Sequence, residues 1–596
     1  MSAEPVTFST FLTDRLALTV LAASLIVRLV LSSLIGPGFD EAYYHLFARN
    51  LAWGYFDHPP AVAIVAGLGG WVFHGLKSVV WSPFALRLGA VLLFTLTLPG
   101  FYLLAGRLYN RDAARFALIL PHATPFFLVG AGAFVIPDNA LIFAWVWTLV
   151  IAERLRNDGM PRLARKSGSA ESAGKLKYAH DIHVVDDPHL QASTGLSTTS
   201  LSTTSLSMIQ RTGLFMLLGV LTGLALLAKY HAVLLPASLV IASIYDRELR
   251  KWWLDWRLYA ALGIALLVFS PTIWWNYNND WISFAEQFGK GTSGEFRLRF
   301  DLIGQAIGGQ VGYLTPWVAV VLFIGVFRKK RESIPLDDPR HECLGQDDND
   351  LVETGTLSPK VSQEVAHCSQ LRAQNRSNDR WLVAFFLVPV VGMTLIGLTR
   401  GILPHWTMPG YVAAFILATG GFAWTKRVRR NTGIAVTINI VLVVVVLVQA
   451  ATGFIPLEPR ADPTLDPAGW RVAIEELEQS GDLNENDLIF AHKWFTAGEL
   501  AWADRGEHEI VMLGSDSHMF AWWAPETLHR GRSGVFITQA RYNIDPEKHF
   551  APRFAQVEQL QLDSVRHRNR WVQMKAWRLT DMQHPYTPEY GPFSTP

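Results

Sequence analysis

The chemistry-bearing side chains of this 596-residue chain fall where long apolar runs break off. The densest group is Phe39-Asp40-Glu41-Ala42-Tyr43-Tyr44-His45, followed by Trp53-Gly54-Tyr55-Phe56 and closed by Asp57-His58-Pro59-Pro60. A carboxylate at Asp40 or Glu41 is a candidate general base, able to take the proton of a hydroxyl. Each proline fixes its own φ and restricts the residue before it, so the Asp57–Pro60 turn is stiff enough to aim His58. Structural roles compete with these. A helix from Glu41 to Trp53 would use Asp40 as N-cap and Gly54 as its left-handed stop, and Pro59 and Pro60 would merely open the next helix beside a solvated His58. Two adjacent carboxylates, two tyrosines and a second acid–histidine pair exceed what one cap requires.

Further along, Pro137-Asp138-Asn139 and Lys229-Tyr230-His231 each interrupt a pair of apolar runs, and Arg400-Gly401-Ile402-Leu403-Pro404-His405-Trp406 adds a cation and another histidine. Ionisable groups at a membrane boundary are costly and default to a functional reading, although a snorkelling lysine and a capping aspartate are ordinary structural devices. Arg400 suits bidentate phosphate recognition or contact with lipid headgroups. Together, acids (Asp40, Glu41, Asp57, Asp138), cations (Lys229, Arg400) and His or Tyr donors border the lipid on one side. That suits a phosphate-bearing lipid meeting a hydroxyl acceptor. The chain carries no Walker A loop, nucleotide-binding glycine fingerprint, H-E-x-x-H or G-x-S-x-G motif, so a cytosolic nucleotide donor has no support.

The elements that must position these groups are membrane helices. Half the residues are hydrophobic and only 17% charged, against about 25% in soluble proteins. Eleven spans are expected, at roughly 14–36, 84–106, 116–133, 138–153, 212–228, 231–245, 258–275, 312–327, 381–398, 405–424 and 433–453. Alternate loops hold 28 Lys and Arg and the opposite side eight, which puts the N-terminus in the cytoplasm and the C-terminus outside. The Gly-rich stretch 60–76 is expected at the outer interface. Cutting the chain at Ile455 gives a net charge of +8 before it and −7 after it. This separates a membrane domain, 1–455, from an extracytoplasmic α/β domain, 456–596, with strands at Leu488–Phe490, Ile510–Leu513 and Val535–Thr538 and helices at 468–479 and 496–503. Two cytoplasmic insertions, 155–211 and 328–380, have too little apolar surface to order themselves. The only cysteines, Cys343 and Cys368, lie in the second insertion and give neither a disulfide framework nor a Cys-based metal site.

Phe39-Asp40-Glu41-Ala42-Tyr43-Tyr44, Trp53-Gly54-Tyr55-Phe56-Asp57-His58-Pro59-Pro60, Pro137-Asp138, Lys229-Tyr230 and Leu403-Pro404-His405-Trp406 resemble the bacterial GT-C glycosyltransferases of the dolichyl-phosphate-mannose-protein mannosyltransferase-like group. That group includes the aminoarabinose and galacturonic acid transferases that modify lipid A. The likeness covers about 14–454. Trp274-Trp275-Asn276 through Asp280-Trp281-Ile282-Ser283-Phe284 and Gln287 resembles the group's long external loop, where a substrate is gripped, or is an aromatic interface belt. Trp494-Phe495 and Ala497-Gly498-Glu499-Leu500-Ala501 resemble its C-terminal domain more loosely.

The resemblance implies a polytopic α-helical, GT-C-like enzyme of the bacterial inner membrane, with about eleven or more spans. It would transfer a sugar, with inversion, from a polyprenyl-phosphate donor to an extracytoplasmic hydroxyl or phosphate on lipid A, lipopolysaccharide, another envelope glycan or a protein. Asp40 would then be the base, and Glu41 and Asp138 would position sugar or acceptor or hold a divalent Mg or Mn ion. Lys229, His58 and Arg400 would steady the leaving phosphate, with Tyr43, Tyr44, Asp57, Tyr230, His405 and Trp406 completing the substrate site. Eleven spans would also serve a transporter or flippase of lipid-linked sugars, whose sites lie near the midplane, often between inverted repeats. Here the charges sit at span ends and no repeat is visible. A scaffold whose acidic tail binds an envelope partner would account for the tail but not the first loop.

Overall fold

The computed structural model describes residues 6–74, 81–158, 206–289, 299–327, 379–398, 401–421, 425–458, 462–562, 565–567 and 570–592. The expected structureless insertions fall almost wholly outside these residues, as does Arg400.

A helical bundle is built around Pro83–Leu108, the most enclosed of the long apolar helices. Arg15–Leu34, Ala61–His74, Arg111–Ile119 and Asp138–Arg156 pack against it. Buried Asp14 begins the first of these: it accepts backbone N–H bonds from Leu16 and Ala17 and side-chain bonds from Arg111, Arg115 and Tyr102. Five described helices are long and apolar enough to cross a bilayer, seven if each sharply bent pair is one span. Eleven were expected, and short or bent helices account for most of the difference. Helices such as Leu234–Tyr245 and Arg380–Ile396, with 12 and 17 residues, fall short of the roughly 20 a straight crossing takes. The expected spans 116–133 and 312–327 contain bends of 92° and 98°. The second falls at Thr315, which turns to φ 66° between Phe300–Leu314 and Pro316–Phe327, where Pro316 has no N–H to continue the preceding helix. The 60–76 stretch forms a helix, Ala61–His74, against Pro83–Leu108.

Beyond Lys426–Thr452, which ends on left-handed Gly453, the C-terminal region folds into a five-stranded sheet. Strands β1 (Leu488–Ala491), β2 (Glu509–Met512) and β3 (Gly534–Gln539) pair in parallel, with Leu488 opposite both Glu509 and Gly534. Strand β7 (Met574–Met582) runs antiparallel to β3 and to the edge strand β4 (Phe554–Leu560). A two-stranded ladder joins β5 (Val565–His567) and β6 (Arg570–Val572). The three expected strands and both expected helices, observed as Trp470–Ser480 and Trp494–Asp504, are present. Helix Trp494–Asp504 lies along Phe39–Arg49, the helix that carries the first-loop acids. Gly498 permits the contact: a Cβ there would stand 3.1 Å from the Tyr43 backbone nitrogen.

Candidate active site

The first-loop helix runs from Phe39 to Arg49 with Gly38 as its N-cap. It therefore starts two residues before the expected Glu41 and stops before Trp53. Gly54 is not a left-handed stop; Asn50 caps the end, and Gly54 instead leaves room for the Trp275 ring, which a Cβ would meet at 2.9 Å. The shift in start changes the duties of the two acids. Glu41, in the first turn, reaches back to accept the Gly38 N–H at 3.2 Å. It also takes two bonds from Arg87, at 2.8 and 2.6 Å, and the Val135 N–H at 2.9 Å. All of its acceptor positions are thereby occupied. Asp40, freed from capping, makes no hydrogen bond with any described residue and is exposed, but into a recess crowded by protein. Burial, with Asp57 and Glu41 nearby, pushes its carboxyl up to about 6 against the pull of Lys229 and His518.

Around that recess the structure gathers most of the expected residues. Lys229 ends Met208–Ala228 in an extended conformation and, rather than snorkelling, is buried with its Nζ 2.8 Å from Asp138 Oδ2. Asp138 is the first residue of its own helix, whose N-cap is Pro137, and its Oδ1 is buried without a partner. His405 Nε2 stands 3.9 Å from the same Asp138. His58 Nε2 and the Tyr44 hydroxyl share a hydrogen bond of 2.9 Å, so the stiff turn does aim its imidazole inward. Burial lowers the His58 pKa below the ordinary imidazole value, with Asp57 and Asp138 pulling the other way. Asp57 also has a buried oxygen without a partner. Burial alone would raise its pKa, but His58 and His518 hold it below the ordinary carboxylate range.

Other expected residues face elsewhere. The Tyr43 hydroxyl accepts the Met519 N–H at 3.0 Å, Trp406 packs on His231 with ring centroids 4.6 Å apart, and Tyr230 packs on Phe284 while its hydroxyl accepts from Asn276 at 3.5 Å. The 274–287 segment braces the first loop: Ser283 Oγ donates to the Tyr55 carbonyl at 2.8 Å and Gln287 Nε2 to that of Asp57 at 3.1 Å. Trp53, Trp274, Tyr277 and Trp281 line a separate exposed cup of about 620 Å³ with none of the recess residues. The expected Mg or Mn ligands Asp40, Glu41 and Asp138 are not grouped as a metal site: Glu41 bonds Arg87 through both oxygens and Asp138 bonds Lys229 through Oδ2. Among the described residues no other group of three or more His, Cys, Asp or Glu is arranged to hold a metal.

Three participants had no sequence signal assigned to them. Arg87 reads as one basic residue at a helix start, yet it is fully buried beneath Glu41. Tyr313 stands in the field of both Asp40 and Asp138. His518 reaches Asp57 from the C-terminal domain, more than 450 positions away in the sequence.

The chain has likenesses among known proteins. The family model described as dolichyl-phosphate-mannose-protein mannosyltransferase matches residues 57–163 and 192–275. Lipopolysaccharide core galacturonosyltransferase RgtA of Rhizobium johnstonii is 32% identical over 179 residues, 29% of this chain and 34% of the relative. RgtB of the same organism is 37% identical over 65 residues, 11% of this chain and 13% of the relative. The matched part thus spans about a third or less of these curated relatives. Among solved structures, ArnT from Cupriavidus metallidurans in the apo state superimposes with a TM-score of 0.54 at 14% identity, covering 94% of this chain and 97% of that one. Its undecaprenyl-phosphate-bound form gives 0.53 at 16% identity with the same coverage. The class is therefore one of ArnT-like helical fold, with several apolar helices and a small C-terminal sheet domain. Within that class, this chain's likenesses are to the mannosyltransferase-like group and to enzymes that modify lipopolysaccharide, as its first-loop motif implied.

Proposed function

We propose that the chain is an inverting glycosyltransferase of the bacterial inner membrane that moves a sugar from a polyprenyl-phosphate donor to an extracytoplasmic acceptor on lipid A, lipopolysaccharide, another envelope glycan or a protein. The N-terminus is cytoplasmic and the domain 456–596 periplasmic. The observation that carries the reading is Asp40: its carboxylate is exposed in the recess with no hydrogen-bond partner among the described residues, and burial pushes it up to about 6 against the pull of the buried Lys229. The names of RgtA and RgtB, and the undecaprenyl phosphate bound to ArnT, support the same substrate classes.

In this reaction the acceptor oxygen attacks the anomeric carbon from the face opposite the phosphate. Its proton passes to an Asp40 oxygen as the C1–O bond breaks, and the bonding pair leaves with the lipid phosphate, which becomes a monoester with one more negative charge. Lys229 lies where that charge would grow, and Arg400 is a further candidate. Electrostatic stabilisation of this kind is among the largest catalytic effects, with one donor worth about 10²–10³ in rate. His58 and Tyr44 would orient the phosphate. The unpartnered oxygens of Asp138 and Asp57 suit sugar hydroxyls, because a buried acceptor left without a donor costs about 1–3 kcal/mol.

The test uses purified protein in vesicles, extracted polyprenyl-phosphate sugars and envelope acceptors, with product mass as readout. A sugar-sized increment on an acceptor is expected and identifies the sugar class. Lipid-linked sugar crossing the bilayer with no acceptor gaining mass would instead establish a flippase.

A further inference from the structure

The segment 516–519 of the C-terminal domain is sewn into the first loop at successive residues. His518 Nδ1 meets Asp57 Oδ2 at 3.3 Å, the Met519 N–H bonds the Tyr43 hydroxyl at 3.0 Å, and Met519 Sδ accepts the Phe56 N–H at 3.1 Å. His518 is the centre of this joint. Its other ring nitrogen lies 3.2 Å from Asp516 Oδ1, its ring stacks on Trp494 at 4.9 Å, and Phe56 flanks it at 5.0 Å. Its backbone N–H donates to the Tyr590 hydroxyl at 3.0 Å. The backbone adopts φ 47°, a left-handed conformation that non-glycine residues rarely take. Strain of this sort persists only where its surroundings hold it.

We propose that His518 is a positioning residue of the recess: a cation clamped between Asp57 and Asp516, it fixes the Asp57-His58 turn and offsets the negative charge against which Asp40 must ionise. The inference rests on the reading of Asp40 as the base. It makes the membrane site incomplete without the C-terminal domain.

The charges around the clamp support it. Asp57 comes from the first loop and Asp516 from the domain's own loop, with Lys493, at the head of Trp494–Asp504, 3.1 Å behind Asp516. The other titratable groups facing it are His58 and Asp40 from the first loop and the phenols of Tyr43 and Tyr590. Burial opposes a charged imidazole, but the two carboxylates prevail and raise its pKa to about 9. Asp40 in turn feels Asp57 and Glu41 as repulsion and Lys229 and His518 as attraction. Because Asp40 and Asp57 repel one another, their protons leave as a coupled pair. Losing the cation raises the pH at which the pair sheds its last proton.

The test is the pH profile of kcat for transfer by the full-length protein. His518→Asn tolerates the left-handed backbone and removes the charge. The acidic limb should move up by about half a pH unit or more, with rate recovered at higher pH and KM little changed. His518→Lys should bring the limb back. An unmoved limb with a uniformly lower kcat would overturn the proposal, as would failure of His518→Lys to differ from His518→Asn. A readout that needs no activity is the ¹⁵N imidazole spectrum of the wild type. His518 should remain an imidazolium at pH 8, and a neutral ring at pH 7 overturns the clamp. A wild type that transfers nothing while the imidazolium is present would instead refute the reading of Asp40.

Discussion

The Glu41–Arg87 pair should be the most sensitive structural point in the molecule. Arg87 gives two bonds to Glu41 and three to the carbonyls of Ser32, Ile35 and Gly36, at 3.2, 2.9 and 3.0 Å. Those carbonyls lie at the end of Arg15–Leu34, where helix groups lack internal partners and the dipole is negative. Glu41 meanwhile takes the Gly38 N–H at the start of Phe39–Arg49. One ion pair thus closes two helix ends and sets the angle at which Asp40 enters the recess. Both side chains are at most 5% exposed. Glu41→Gln leaves the guanidinium buried with neutral carbonyls alone, and breaking a buried pair from one side costs about 3–5 kcal/mol. Arg87→Met should cost at least as much, since three carbonyls lose a donor as well. Because each single variant already destroys the pair, Glu41→Gln/Arg87→Met should fall short of additivity by about 2–3 kcal/mol. Reversible unfolding in mixed micelles measures the cycle. Single effects below about 1 kcal/mol, or additivity within about 0.5 kcal/mol, would refute the argument.

The remaining predictions concern the recess and the docking helix. Lys229→Met should lower transfer by about 10²-fold or more, measured as kcat on the lipid-linked donor. The folded pKa of Asp40 lies above its ordinary value, so its stabilising effect is complete below about pH 4 and is lost as pH rises through about 6. Asp40→Asn should therefore raise the unfolding temperature at pH 8 and leave it nearly unchanged at pH 4, while the wild-type transfer rate should fall as pH drops through about 6. Gly498→Val forces side-chain atoms onto the Tyr43 backbone and should cost about 1–3 kcal/mol in the same unfolding assay.

Much of this was legible in the residues themselves. Acids and cations at the ends of apolar runs marked the recess, and the Asp57–Pro60 turn announced its stiffness through two prolines. Division of labour between Asp40 and Glu41 was not legible, because it depends on a helix start two residues earlier and on Arg87, which only folding brings beneath Glu41. His518 was invisible for a similar reason: nothing local distinguishes it from a solvated loop histidine, and its role exists only because Trp494–Asp504 docks on Phe39–Arg49. In the C-terminal sheet, β1 and β3 are buried throughout and their apolar runs stood out. The edge strand β4 buries only Phe554 completely, and the charged and polar residues along β4 and β7 masked both strands.

The most direct test of the central claim is the initial rate of sugar transfer by wild type and Asp40→Asn at pH 8, in the same vesicles with the same donor and acceptor. A positioned general base contributes about 10²–10⁴-fold. The account predicts a loss of that size in a variant at least as stable as the wild type; transfer by Asp40→Asn within about threefold of wild type, against that range, would contradict it.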